Sequence, residues 1–279
     1  MGSFDWRRTW AGGPGGFVLS LEGLRVFGLP PGHLASVREL LRMVPALERH
    51  GLLRMLRDVL HTASVLAADV TVTVHSGRQR IVHVEAEPEF NEQGHCVGYT
   101  GIVQDVTDRR VAEDRIRHLA NFDALTGLPN RRYFEEYVEL LGRGRRADDA
   151  VGILMVDVDR FKLLNDRHGH ATGDLVLRAV ARTIGATVRD DDLPARYGGE
   201  EFVVLLRNPS RAVALEVGER IRAAVEGLDL HAAGVERVTV SVGAAVGDGG
   251  SERVPELVEA ADRALYRAKR FGRNRVEPG

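Results

Sequence analysis

The sequence predicts an α+β protein of two domains, and three observations carry that expectation. The chain has 279 residues, enough for about two domains that each bury a core of their own. Its first part holds three successive strand-like stretches behind helically spaced leucines. Its second part holds two short apolar runs, 151–156 and 202–206, of buried-strand length.

The elements follow in order. Residues 36–43 and 52–62 space their leucines as helices do. Strand-like stretches come next at 70–74 and 80–86, joined by Ser76-Gly77, and at 98–106 after the turn Asn91-Glu92-Gln93-Gly94. Three consecutive strands predict an antiparallel sheet. The glycine-rich run 12–16 interrupts the pattern ahead of them and leaves the first strand unplaced. Farther on, Ala112, Ile116 and Leu119 recur four and three apart among Arg109, Arg110, Glu113, Asp114, Arg115 and Arg117. Such a stripe serves either as a two-helix seam or as one helix packed on its own domain. Pro129 and the stretch 142–149 read as loops.

Composition narrows the function classes. With 38 basic and 40 acidic residues the formal charge is -2, so no global field draws the protein onto nucleic acid or anionic lipid. Any phosphate binding must be local. The one cysteine, Cys96, rules out an internal disulfide framework and reads as a small buried side chain. No apolar run reaches the length of a bilayer span, and Asp5, Arg7 and Arg8 stand without an adjacent signal-type apolar core. The expectation is a soluble cytoplasmic protein with no membrane or nucleic-acid partner.

The chemistry is concentrated in the second half. Arg196-Tyr197-Gly198-Gly199-Glu200-Glu201-Phe202 sets paired glycines against paired carboxylates at the head of an apolar run. Glycine amides approach a phosphate closely, and carboxylate oxygens suit a divalent ion that keeps some water and shares phosphate oxygens. In isolation, a hairpin turn with exposed acids would read the same way. Upstream, the run 151–156 ends in Asp157-Val158-Asp159, followed by Arg160-Phe161-Lys162-Leu163-Leu164-Asn165-Asp166. Alternation sends Asp157 and Asp159 to one side if the strand continues, so at least one can meet Glu200 when this strand lies beside the Gly-Gly hairpin. Gly169-His170 and Gly173-Asp174 come next, and near the C-terminus 261–269 leads to Gly272-Arg273-Asn274.

In these motifs, residues 121–279 resemble the GGDEF family of diguanylate cyclases, in a Gly-Gly-Glu-Glu-Phe variant. The run Asp123-Ala124-Leu125-Thr126-Gly127-Leu128-Pro129-Asn130-Arg131-Arg132 is similar to that family's opening signature, so five separated motifs stand in the family's order. The resemblance implies a palm-like α/β nucleotidyl-cyclase fold and the joining of two GTP molecules into cyclic di-GMP with release of pyrophosphate. It implies that Asp157, the Val158 carbonyl and Glu200 hold Mg²⁺ or Mn²⁺, that Glu200 also accepts the hydroxyl proton, and that Glu201 supports the same site. Phe161, Gly198 and Gly199 fall at substrate-binding positions. Lys162 is a point charge placed to stabilise the phosphate, at a helix start whose amides form an anion site, with a solvated helix-start lysine as the plain alternative.

Lys269 and Arg273 lie four apart, near one face if the helix reaches that far and is not ended early by Gly272, and they look like the family's terminal-phosphate clamps. Asp174 matches the guanine-reading carboxylate: guanine presents N1–H and its N2 amino group together, and adenine has no such pair. Asn165 and His170 match the other substrate-contacting positions, with a structural histidine at a helix entry as the plain alternative for His170. Arg189-Asp190-Asp191-Asp192 looks like the inhibitory Arg-x-x-Asp site, in which Arg189 and Asp192 would bind product. An acidic surface turn is the plain alternative.

The first part resembles a PAS sensor domain, whose last strand closes on Asp-Val/Ile-Thr before a signalling helix; here 101–110 reads Gly-Ile-Val-Gln-Asp-Val-Thr-Asp-Arg-Arg. The implied division is a PAS-like antiparallel sheet with helices over 1–109, a signalling-helix linker over 110–121 and the cyclase over 122–279. Together the resemblances imply a PAS-regulated, Mg²⁺-dependent homodimer in which each GTP meets the other's 3′-hydroxyl, with cyclic di-GMP as product and inhibitor. A catalytically silent receptor for GTP or cyclic di-GMP is the alternative, and Asp157, Lys162, Glu200 and Glu201 argue against it. The ligand of the PAS-like half stays unassigned. His33, His50, His61, His75 and His83 qualify as haem ligands by residue type alone, and Cys96 lacks the surroundings of a flavin-reactive thiol.

Overall fold

The computed structural model describes residues 1–7, 16–144, 150–248 and 254–279. They divide into two compact units, Met1–Ile116 and Arg117–Gly279.

The first unit opens with β1 (Gly2–Arg7), β2 (Gly16–Leu19), α1 (Leu21–Phe27), β3 (Ala35–Ser36), α2 (Val37–Met43) and α3 (Ala46–Thr62). It continues with β4 (Leu66–Thr73), β5 (Gln79–Phe90), β6 (Cys96–Asp105) and α4 (Thr107–Asn121), within which the boundary falls. Ser20 and Ser36 start α1 and α2 by accepting from the backbone N–H of Gly23 and Glu39. The strands form one antiparallel sheet in the order β3-β2-β1-β6-β5-β4.

The three expected strands are there, but the sheet has six. β1 is only six residues long, and its pairing with β6, from Gly2 opposite Val103 to Arg7 opposite Gly98, is what makes it a strand. No local signal carries that information. Of the glycine-rich run 12–16, only Gly16 lies within the described residues. The helix read at 110–121 begins earlier, at Thr107, whose N–H donates to Asp105 Oδ1 at 3.0 Å.

The second unit contains α5 (Arg131–Gly144), β7 (Ala150–Val158), α6 (Phe161–His168), α7 (His170–Thr187), β8 (Leu193–Arg196) and β9 (Glu201–Arg207). It ends with α8 (Arg211–Glu226), β10 (Val240–Asp248), α9 (Val254–Arg270) and β11 (Val276–Pro278). Because α5 runs through Gly144, the loop expected from residue 142 starts later; 145–149 lie outside the described residues.

The sheet order is β11-β10-β7-β9-β8, with β7 antiparallel to both β10 and β9. Alternation along β7 sends Leu154, Val156 and Val158 into a core shared with α7 and α8, and Val151, Ile153 and Met155 into a second core with α5 and α9. A strand covered on both faces reads as an unbroken apolar run, which is how 151–156 reads. Each fully buried Val, Leu or Ile contributes about 1.5–3 kcal/mol, so this strand anchors the unit and holds its C-terminal tip in place.

Candidate active site

Asp157 sits at that tip with the parity of Ile153 and Met155, so it faces the α9 side of the sheet. The β7–β9 register sets it opposite Glu201, and Val158 N–H donates to the Glu200 carbonyl at 3.2 Å. On the same side, α9 lies directly against β10 at Gly243, where a Cβ would stand 2.0 Å from the Ala261 carbonyl oxygen. Ala261 and Leu265 are buried at four-residue spacing, and the next position in that row is Lys269. Its Nζ lies 2.7 Å from Asp157 Oδ2.

Asp157 is 5% exposed, and with Ser241 it makes up the buried polar residues among those described. Burial pushes its carboxyl up to about 6; Lys269 opposes the shift, and the acids Glu200 and Glu201 add to it. Among the described residues no three His, Cys, Asp or Glu side chains form a ready-made metal cage. Mg²⁺ does not require one, since it takes one or two carboxylates and completes its shell with water and substrate phosphate oxygens. Three acids against the one ammonium of Lys269 leave the donor set net negative, and it fits such an ion.

Asp159 does not share this site. The strand ends at Val158, Arg160 turns the chain at φ 56°, and Asp159 accepts from Thr239 Oγ1 at 2.7 Å, Ser241 Oγ at 2.6 Å and Asn274 N–H at 3.1 Å. It ties the end of β7 to β10 and to the segment after α9.

The Gly-Gly turn joins β8 to β9, with Tyr197 and Gly198 N–H donating to the Glu201 carbonyl at 2.8 and 3.1 Å. Arg196 braces it. Its Nη1 donates to both Asp123 carboxylate oxygens at 2.9 and 3.0 Å, Nε to the Gly198 carbonyl at 3.2 Å and Nη2 to the Gly199 carbonyl at 2.6 Å. Asp123 also accepts from Thr126 N–H and Oγ1 at 2.9 and 2.7 Å. Burial raises the Asp123 pKa, but the bonds from Thr126 and Arg196 outweigh it and hold the carboxyl below its ordinary value. Sequence reasoning missed Arg196 as a positioning residue. An arginine before two glycines is visible in the chain; which carbonyls it reaches is not.

On the α6–α7 side, Asn165 Oδ1 is buried with no hydrogen-bond partner among the described residues. It packs against Gly173, where a Cβ would stand 1.9 Å from that oxygen. Asp174 is half-buried one turn after the exposed His170. Lys162 is exposed at the start of α6, with no ion pair among the described residues. The ring of Phe161 belongs to the core, so a ligand at this position would meet its backbone. Of the two courses open to the chain after Lys269, the early end is found: α9 stops at Arg270 and Arg273 takes φ 65° outside it. They share no helical face. Arg273 instead lines a polar cleft of about 630 Å³ with Arg160, Arg167 and Arg237.

Arg189 and Asp192 form a surface turn. Asp192 accepts from Arg189 N–H through Oδ2 and from Arg207 N–H through Oδ1, both at 3.1 Å, while the Arg189 side chain is exposed.

A sheet of this order, with carboxylates at one strand tip beside a Gly-Gly hairpin, defines an α/β domain with an acidic site at the end of its central strand. A family model described as diguanylate cyclase, GGDEF domain, matches residues 120–275, and one described as PAS fold matches residues 20–111. The chain belongs to the GGDEF domain family of diguanylate cyclases. Diguanylate cyclase DgcM of Escherichia coli strain K12 is 44% identical over 179 residues, which cover 63% of this chain and 42% of that protein. Diguanylate cyclase A of Treponema denticola is 39% identical over 171 residues, 60% of this chain and 46% of that protein. The chain thus spans less than half the length of these two relatives. The crystal structure of the coiled coil and GGDEF domain of DgcB from Caulobacter crescentus, in complex with c-di-GMP, matches with TM-score 0.56 at 32% identity, covering 62% of this chain and 93% of that one. No helix among the described residues is long and apolar enough to cross a membrane.

Proposed function

We propose that this chain is a PAS-regulated diguanylate cyclase that condenses two GTP molecules into cyclic di-GMP, releasing two pyrophosphates. The observation that carries the reading is the buried Asp157 carboxylate at a strand tip, beside the Glu200 turn and within reach of Lys269. Asp157, the Val158 carbonyl and Glu200 would hold Mg²⁺ or Mn²⁺, which supplies charge neutralisation at the triphosphate. Lys269 turns from Asp157 to the phosphates when substrate enters, and Lys162 stabilises the negative charge that develops there. Glu200 takes the proton of the attacking 3′-hydroxyl, with Glu201 supporting it. Asn165 Oδ1, unpartnered and buried, accepts from guanine, and Asp174 accepts from the same base edge.

The division of labour is a PAS-like sensor over 1–109, a signalling helix over 110–121 and the cyclase over 122–279. The working unit is a homodimer, since one half-site holds one GTP. Support comes from α4, which contains no buried residue and leaves Ile116 67% and Leu119 71% exposed. Cyclic di-GMP binds back at Arg189 and Asp192 as an inhibitor.

The test is incubation of the purified chain with GTP and Mg²⁺, with cyclic di-GMP and pyrophosphate measured as products. Absence of cyclic di-GMP overturns the reading. Wild-type turnover in Glu200→Gln overturns the role given to Glu200.

A further inference from the structure

Five residues other than glycine take a positive φ among those described, and three of them, Arg160 at 56°, Arg273 at 65° and Asn274 at 46°, are tied to one carboxylate. It belongs to Asp159, which precedes Arg160 in the chain and accepts from Asn274 N–H at 3.1 Å. A left-handed backbone crowds Cβ against the following carbonyl, a cost that a residue other than glycine bears only where its surroundings fix the course of the chain. Here they do.

Asp159 is itself fixed at the start of β10, because its carboxylate accepts from Thr239 Oγ1 at 2.7 Å and Ser241 Oγ at 2.6 Å while its N–H donates to the Thr239 carbonyl at 2.9 Å. From the other side, Asn274 Nδ2 donates to Glu226 Oε1 at 3.0 Å, and Asn274 Oδ1 accepts from Arg222 Nη1 at 2.9 Å. The turn 272–274 is thus clamped between the end of β7 and the end of α8. Arg273 contributes no side-chain bond to this clamp. Its side chain is exposed, has no ion pair among the described residues, and lines the polar cleft that also takes in Arg160.

We infer that Asp159 is a positioning residue for the substrate's triphosphate: through Asn274 N–H it holds the strained turn that presents Arg273 beside Arg160, at the loop following Val158. This rests on the proposed function and deepens it, since a triphosphate bound at Asp157 and the Val158 carbonyl would lie next to that loop. Two left-handed backbones with one shared anchor set two guanidinia on one cleft, and fork donors of that kind pair with phosphate oxygens. Both Asp159 oxygens accept from the protein, so its effect on substrate runs through Arg273.

The experiment is calorimetry on the full chain with Mg²⁺ and two nucleotides: 3′-deoxy-GTP, which lacks the attacking hydroxyl and so binds without being condensed, and GDP, which lacks the terminal phosphate. Asp159→Asn weakens 3′-deoxy-GTP about tenfold and GDP less than about twofold. Thr239→Val removes one donor to Asp159 and weakens the triphosphate about threefold, whereas Thr239→Ser keeps the hydroxyl and binds as wild type does. Arg273→Gln also weakens it about tenfold, and the double variant Asp159→Asn with Arg273→Gln stays within about twofold of Arg273→Gln alone, because both changes act through one contact. The inference is overturned if Asp159→Asn binds 3′-deoxy-GTP as wild type does, if it weakens 3′-deoxy-GTP and GDP equally, or if the two losses multiply in the double variant. Binding of neither nucleotide to wild type overturns the cyclase reading, and this inference with it.

Discussion

Lys269 Nζ stands 2.7 Å from Asp157 Oδ2, so an ammonium from the last turn of α9 holds the carboxylate at the tip of the central strand. The first strand and the last helix of the second unit meet in this pair. Under the proposed function the same ammonium would serve the terminal phosphates, so GTP binding would exchange its partner.

Asp157 makes the free protein sensitive to pH. Its carboxyl is raised from 3.8 to about 6 in the folded state. The folded protein therefore binds the extra proton between those values, and the stabilisation is complete below the lower one and lost as pH rises through the upper. The cost above pH 6 is on the order of 3 kcal/mol. Thermal unfolding with chelator present, from pH 3.5 to 8, should show wild type falling relative to Asp157→Asn across that window. Parallel curves would count against the burial argument.

Gly173 gives a clean probe of the base site. Alanine there places a Cβ 1.9 Å from Asn165 Oδ1, the end of a side chain, and 3.1 Å from Cζ of the buried Phe161 ring, so Asn165 shifts and the ring gives by a few tenths of an ångström. Helix propensity alone favours Gly173→Ala by about 1 kcal/mol. The expected result is an unchanged or higher Tm with KM for GTP raised about tenfold, the value of one lost hydrogen bond. An unchanged KM would detach Asn165 from guanine.

Arg196 is predicted to position the hairpin without touching substrate. Arg196→Ala leaves Asp123 and the Gly198 and Gly199 carbonyls short of a donor, costing roughly 1–3 kcal/mol, and it lowers kcat more than tenfold by loosening Glu200, an order-of-magnitude expectation. Arg196→Lys rescues little, because one ammonium cannot span a carboxylate and two carbonyls. Unfolding and turnover measured together check this; full activity in Arg196→Ala sinks it.

At the surface turn the two motif residues should separate. Asp192→Ala removes the acceptor of two backbone N–H groups and destabilises by about 1 kcal/mol, whereas the exposed Arg189 side chain gives Arg189→Ala a stability change within about 0.5 kcal/mol. Progress curves with added cyclic di-GMP should show Arg189→Ala relieved of inhibition at unchanged initial rate. Equal inhibition of wild type and variant leaves the motif as a turn.

The sequence by itself determined which groups are present and which strands carry them. The apolar run 151–156, the acids that follow it and the glycines before Glu200 are local patterns, and burial on both faces of β7 forces such a run. It also set the three later strands of the first unit, where alternation and turn residues act within a few positions. Only the tertiary structure decided between Asp157 and Asp159, because the strand stops at Val158 and alternation ceases to apply. It likewise parted Lys269 from Arg273 at the end of α9 and drew Arg196 onto Asp123 across 73 positions. Each of these depends on pairing or packing between residues distant in the chain, and local composition carries no record of a partner that arrives only when the chain folds.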